Sequence, residues 1–245
     1  MAARRRLLAI AIAVPVVFAG LYFVARDTST FDVRSVAVSG GTPALQAQVQ
    51  KALTPFLGTS LLALNGRSLE RRVDALPTVQ SVRYDRAFPH TLRITVVPEL
   101  PVAVVHRGKE TWLVSGRGRT IQQIPPGTQL ALPRIWVPTA TPITPGGLLA
   151  ADEGGTAAKA LALAAGFPAR FTTVSFAHDE LTMDLRLGVQ LRMGEPVDVR
   201  LKLAIARRAL HLLPAGTTYL DVSLPQRPVA GSNPQVSSTA SALSG

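Results

Sequence analysis

The sequence predicts an α+β protein with three parts. A single N-terminal transmembrane helix comes first, then a β-α-α-β-β unit, then a second, mixed β-rich unit with two helices. Three observations predict this. An uncharged 18-residue stretch, Leu7 to Val24, follows Arg4, Arg5 and Arg6. Between Leu76 and Val104 the apolar residues change from helical to alternating spacing around one tight turn, Ala87-Phe88-Pro89-His90. No set of residues with catalytic spacing accompanies these patterns, so the chain reads as a binding module rather than a catalyst.

The N-terminus sets the address. Eighteen residues at about 1.5 Å each make a helix of about 27 Å, close to the hydrocarbon thickness of a bilayer. Arg26 and Asp27 end the stretch, and Phe18, Tyr22 and Phe23 cluster at its far end as interfacial aromatics do. Three arginines before the span, against one Arg balanced by one Asp after it, orient the N-terminus toward the cytoplasm. Val17-Phe18-Ala19 also fits a signal-peptidase site, but the apolar run continues to Val24, which favours an uncut anchor. The expected organisation is a basic cytoplasmic segment over residues 1–6, the span over 7–24, the first unit over 31–99, the second over 100–229 and a disordered tail over 230–245.

Composition narrows the function. Cysteine is absent, which excludes thiolate metal sites and cysteine nucleophiles. The net charge is +11, and 23 basic against 15 acidic residues remain once the three N-terminal arginines are set aside. On the outer side of a membrane such a surface favours anionic lipid headgroups or acidic wall polymers over DNA. There is also no Lys/Arg run with interleaved aromatics of the kind single-stranded nucleic acid binds.

In the first unit, Phe31 to Ser39 reads as a strand whose parity slips between Val33 and Val36. Either a bulge falls at Arg34-Ser35 or the regular strand starts near Ser35. Thr42 with Pro43 opens a helix with Leu45, Val49, Leu53 and Phe56 as its buried stripe. Asn65 or Ser68 caps a second helix with Leu69, Val73 and Leu76, which Pro77 stops. Val82 and Tyr84, then Leu92, Ile94 and Val96, line one side of two strands. A three-stranded sheet with both helices on one face buries every one of these stripes.

In the second unit, Val102 to His106, Thr111 to Val114, Thr120 to Ile124 and Leu132 to Val137 are strand candidates. Pro138 to Gly147 is a loop, and Thr156 opens an alanine-rich helix. A meander follows over Phe171 to Ala177, Leu181 to Leu187 and Gly188 to Met193, with His178-Asp179-Glu180 at its first corner. The helix from Val197 to Leu213 buries Val199, Leu203, Ala206, Leu210 and Leu213, widened by Leu201, Ile205 and Leu212. Thr217 to Leu224 is the last strand, with Leu220, Val222 and Leu224 inward and Tyr219, Asp221 and Ser223 outward.

Sites for chemistry are not found. None of His90, His178 and His211 has a second histidine or a carboxylate at i+3 or i+4; His106 has Glu110 at i+4, but across the Gly108-Lys109 turn and not on a helix face. Gly116-Arg117-Gly118-Arg119 is a turn and not a phosphate loop, since no helix follows and the Walker lysine is missing. Asp152-Glu153-Gly154-Gly155 leads into the Thr156 helix, where acids favour the positive dipole end. Trp112 and Trp136 read as core or hairpin anchors. No metal, cofactor or catalytic residue is expected.

In this order and spacing the chain resembles the FtsQ/DivIB family of bitopic bacterial cell-division proteins. The stretch Phe31-Asp32-Val33-Arg34-Ser35-Val36-Ala37-Val38-Ser39-Gly40 looks like the first strand of that family's POTRA domain. Gly58-Thr59-Ser60-Leu61-Leu62 resembles the loop before its second helix. Leu76-Pro77, Val79, Val82, Arg86, Phe88-Pro89, Thr91-Leu92 and Pro101-Val102-Ala103 resemble its most recognisable stretch. Trp112-Leu113-Val114 with Gly118 resembles the following hairpin, and Tyr219-Leu220-Asp221-Val222 the terminal strand. Ser223 stands where the family often has arginine, and Pro98 where many members carry a polar residue.

The resemblance implies a non-enzymatic scaffold in the cell membrane at the division septum. Its partners would be FtsB/DivIC-like and FtsL-like bitopic coiled-coil proteins and other divisome membrane proteins. It further implies that a partner adds a strand near the C-terminal strand, over Tyr219 to Val229, with Tyr219, Asp221, Ser223, Leu224 and Arg227 in contact. Lys202, Arg207 and Arg208 on the preceding helix would then face acidic partner residues. The alternative is a POTRA-type secretion or chaperone adaptor, taking extended polypeptides on Phe31–Ser39 or Leu92–Val96.

Overall fold

The computed structural model describes residues 29–232. The expected membrane span over 7–24 lies outside them. Among the described residues no helix is long and apolar enough to cross a membrane. The chain is α+β and divides into two compact units between Pro98 and Glu99.

The first unit runs β1 (Ser35–Ser39), α1 (Pro43–Leu53), α2 (Gly66–Asp74), β2 (Val79–Ala87) and β3 (Thr91–Pro98). Both helix starts are fixed by side chains: the Thr42 hydroxyl accepts the N–H of Leu45, and the Asn65 carbonyl accepts that of Ser68. Leu45, Val49 and Leu53 of α1 and Leu69 and Val73 of α2 are buried against Leu92, Ile94 and Val96 of β3. Each fully buried leucine contributes about 1.5–3 kcal/mol. The parity slip resolves in favour of a late start. Ser29–Phe31 form a 3₁₀ turn, and the amides of Arg34 and Ser35 both donate to the His90 carbonyl, so the regular strand begins at Ser35. Gly40 ends it at φ +91°, where an added Cβ would meet the Val96 carbonyl oxygen at 2.1 Å.

Strand order in this sheet is β1-β3-β2, with β1 parallel and β2 antiparallel to β3. Leu92–Val96 therefore lies in the central strand, paired on both sides. The expectation that it could accept an added strand is wrong, because strand addition needs an open edge. At β1, which is an edge, the Gln50 side-chain amide approaches the Val36 carbonyl at 3.5 Å.

The second unit contains β4 (Pro101–Arg107), β5 (Glu110–Ser115), β6 (Thr120–Ile124), β7 (Arg134–Val137), α3 (Thr156–Leu163), β8 (Phe171–Ala177), β9 (Glu180–Leu185), β10 (Gln190–Gly194), α4 (Val199–Ala209), β11 (Tyr219–Asp221) and β12 (Val229–Gly231). These strands make a nine-stranded sheet in the order β12-β11-β10-β9-β8-β7-β4-β5-β6. The parallel pairs β7/β8 and β10/β11 need crossovers, and α3 and α4 supply them. Both helices pack on one face. Ala157, Ala158 and Leu161 of α3 and Val199, Leu203 and Ala206 of α4 share a core with Ile135, Val174, Met183, Leu191 and Leu220. The strand alternation leaves Arg134, Thr173, Asp184, Gln190 and Tyr219 on the opposite face. His178 and Asp179, at φ 52° and 60°, turn β8 into β9.

Glu99 opens the unit as a buried carboxylate ion-paired with Arg117. Arg107 pairs with Glu110 and donates to the Thr141 carbonyl, while the Trp112 indole N–H donates to Glu110.

Several expectations are corrected here. The strand at Tyr219 stops at Asp221 because the Asp221 carboxylate takes the Ser223 N–H at 2.9 Å and turns the chain. Leu224 is consequently 61% exposed and does not face inward. Ala230 and Gly231 belong to β12, which pairs with β11, so the disordered tail does not begin at Ala230. The last long helix is shorter than its apolar pattern. Asp198 has a left-handed φ of 51°, α4 starts after it, and Leu210–Leu212 form a 3₁₀ turn, leaving Leu201 and Leu212 exposed. Trp136 is not a core anchor: it is 60% exposed and stacks on His106 with ring centroids 4.5 Å apart.

Candidate functional site

The residues that sequence reasoning grouped around the terminal strand divide between two faces. Leu220 and Val222 are buried in the core beside α4, so Tyr219 and Asp221 project from the other side of the sheet. Arg207 and Arg208 are exposed on α4, behind the sheet. Lys202 does not join them. Its side chain is buried, and its ammonium donates to the carbonyls of Met193 and Glu195, both at 2.8 Å, tying α4 to the end of β10. An amphipathic-helix pattern cannot distinguish a lysine that points to solvent from one that satisfies a neighbouring strand end. Leu224 and Arg227 are exposed in the turn between β11 and β12, where the Arg227 amide donates to the Leu224 carbonyl.

Tyr219 is the best-positioned of the set. The Arg192 guanidinium lies 4.4 Å from its ring centroid. Arg192 Nε donates to Gln190 Oε1, and Gln190 Nε2 donates to Asp184 Oδ1. A polar chain thus runs across β9 and β10 and ends on the tyrosine ring. On the other side the ring rests against β12: a Cβ added at Gly231 would lie 2.7 Å from the Tyr219 hydroxyl oxygen. Glycine at 231 lets the tyrosine cover the last strand. Tyr219 therefore clamps β12 onto β11 and is not itself on the sheet's outermost strand.

The outermost strand is β12, which sequence reasoning missed. Val229↔Asp221, Ala230↔Leu220 and Gly231↔Tyr219 are its register pairs on the inner side. Among the described residues no strand pairs with its outer side. Val229 is 54% exposed there. The signal was present as Pro225-Gln226-Arg227-Pro228, a proline-bounded turn before Val229-Ala230-Gly231, but three small residues carry no readable alternation.

His106 lies elsewhere on the sheet, on β4. Partial burial, reinforced by the positive charge of Arg134, holds the His106 imidazole below its ordinary value of 6.5. Among the described residues no group of three or more His, Asp or Glu is placed to hold a metal ion.

Comparison with known proteins agrees with this architecture. Residues 31–97 match the family model of the FtsQ-type POTRA domain. The chain is 33% identical over 126 residues to a cell division protein FtsQ of Mycobacterium leprae, covering 51% of this chain and 36% of the relative. It is 30% identical over 131 residues to a cell division protein FtsQ of Streptomyces bingchenggensis, covering 52% and 49%. A third, from Mycobacteroides abscessus, is 33% identical over 106 residues, covering 43% and 33%. The matches thus span about a third to a half of these relatives' length. Residues 31–97 are thus matched as an FtsQ-type POTRA domain, and over about half its length the chain is similar to bacterial cell division proteins FtsQ.

Proposed function

We propose that this protein is a non-enzymatic, membrane-anchored scaffold of the divisome that receives a partner's strand on the outer edge of β12. The open edge of the nine-stranded sheet carries the reading, because an edge strand offers a row of backbone N–H and C=O groups to an incoming chain. Pro225 and Pro228 lie in the turn before β12, so neither interrupts a ladder along Val229, Ala230 and Gly231. Tyr219, Asp221 and Ser223 shape that edge from the inside, while Leu224 and Arg227 border its entry. Arg207 and Arg208 sit on the far side and suit an acidic coiled-coil partner that continues past the sheet. The partners proposed, on the family resemblance, are FtsB/DivIC-like and FtsL-like proteins. The hydrophobic stretch over 7–24 would hold the scaffold in the cell membrane at the septum, with both folded units outside the cytoplasm.

The test is affinity capture with the full chain from solubilised membranes of the source organism. Recovery of a small bitopic coiled-coil protein is expected, and its loss when residues 229–231 are deleted without a change in thermal unfolding. Equal recovery with and without β12 would contradict the assignment of the edge. Recovery of unfolded secreted polypeptides instead would favour the adaptor reading, on the β1 edge.

A further inference from the structure

We infer that the second unit carries a binding site for a phosphate ester, in the cleft where β7 and β8 part. This goes beyond the strand-edge reading and does not rest on it.

The two strands are joined by one register pair, Arg134↔Thr173. Ahead of that pair the chain leading into β7 and the start of β8 diverge, and a cleft of about 640 Å³ opens between them. That volume lies within the range of about 300–1,000 Å³ usual for sites that hold small organic ligands. Arg134, Arg170 and Arg186 line it, from three different segments of the unit, together with the hydroxyls of Thr172 and Thr173 and the ring of Phe171. No aspartate or glutamate lines it. Among the described residues none of the three guanidinium groups takes part in an ion pair. The nearest acid by register is Asp184, paired with Thr173 on β9, and its Oδ1 is engaged by Gln190.

A cleft in the first unit gives the contrast. It is also lined by arginines, Arg67 and Arg71, but Glu70 and Asp74 line it with them. Basic residues there are balanced within the cleft; at the β7/β8 opening they are not. Three like charges converging on one space repel one another unless an anion enters, and guanidinium forks match phosphate oxygens in bidentate geometry. A lone carboxylate brings a single charge. A phosphate monoester brings about −1.5 to −2 near neutral pH and three acceptor oxygens, which suits three arginines and the Thr173 hydroxyl better; the Thr172 hydroxyl donates to the Asp184 carbonyl at 3.2 Å. Phe171, packed on Phe167 at 5.1 Å, supplies an apolar wall for the organic part of the ester. The shared chemistry has two sources: a soluble phosphate monoester or the monoester headgroup of phosphatidic acid.

The test is isothermal titration of the purified full chain, in a neutral detergent, with glycerol 3-phosphate. Saturable binding at one site is expected. Arg170→Gln with Arg186→Gln should weaken it by about tenfold or more. Arg67→Gln with Arg71→Gln removes the same charge from the first unit and should change it less than about twofold. Both double variants are to be compared at unchanged thermal unfolding; Arg134→Gln serves if the first unfolds early. Competition by dihexanoyl phosphatidic acid but not dihexanoyl phosphatidylcholine would assign the site to a lipid headgroup. Competition by neither would assign it to a soluble ester. Absence of saturable binding, or equal losses in the two double variants, would overturn the site, since a general basic surface explains both.

Discussion

At the scale of single residues, His106 is a local gauge of the field on the outer face of the sheet. Its imidazole is held below 6.5 first by burial and then by Arg134. Arg134→Gln should therefore raise the His106 pKa part of the way back, with burial keeping it under the ordinary value, as ring-proton NMR titration will measure. A depressed histidine pKa means that the unfolded chain binds the proton more readily than the folded one. The stability His106 contributes is present above pH 6.5 and is lost as pH falls through the lowered folded value; a His106→Gln variant should lose less stability over that window. Val222 gives a second test at this scale. It is fully buried beside α4. Val222→Asp should destabilise the second unit by about 3 kcal/mol or more, because an unpaired carboxylate enters the core. Denaturant unfolding of that variant checks it, and unchanged stability would refute the inward register of Val222.

At the scale of elements, the clamp on β12 separates packing from contact. Tyr219→Phe keeps the ring over Gly231 and under Arg192 and should leave partner binding nearly unchanged. Tyr219→Ala removes both and should release β12, seen as faster amide exchange at Val229–Gly231 and weaker partner capture with the core intact. The same element marks where sequence reading reaches and where it stops. The first unit was legible because each helix carried its own cap, Thr42 and Asn65, and its own apolar stripe, and because one three-stranded sheet buries every stripe. The meander β8 to β10 was legible from alternation and the His178-Asp179 turn. The strand β12 was not, since three small residues after Pro228 have no pattern, and its existence depends on Tyr219 lying flat against Gly231. Lys202 and Trp136 were misplaced for a related reason. Residue type predicts burial only on average, whereas a strand-end carbonyl pair buries a lysine and a half-buried histidine ring holds a tryptophan at the surface.

At the scale of the whole molecule, the proposed role is that of a scaffold whose action is placement. A basic N-terminus and an apolar stretch precede an FtsQ-type POTRA domain in the sequence, and the second unit ends in an open-edged sheet. The candidate partner edge was legible in the sequence only to within about ten residues. The family likeness pointed to Tyr219–Val229; pairing moves the open edge to Val229–Gly231 and leaves Tyr219 as its support. The most direct measurement is site-specific photo-cross-linking of the full chain in cells, with a benzoylphenylalanine at Val229 and, as the comparison, at Leu187, which is 74% exposed in the turn between β9 and β10. The account predicts a cross-link from Val229 to a small bitopic coiled-coil division protein and none to it from Leu187. The same partner captured from both positions, or from neither while the protein still localises to the septum, would contradict strand addition at β12.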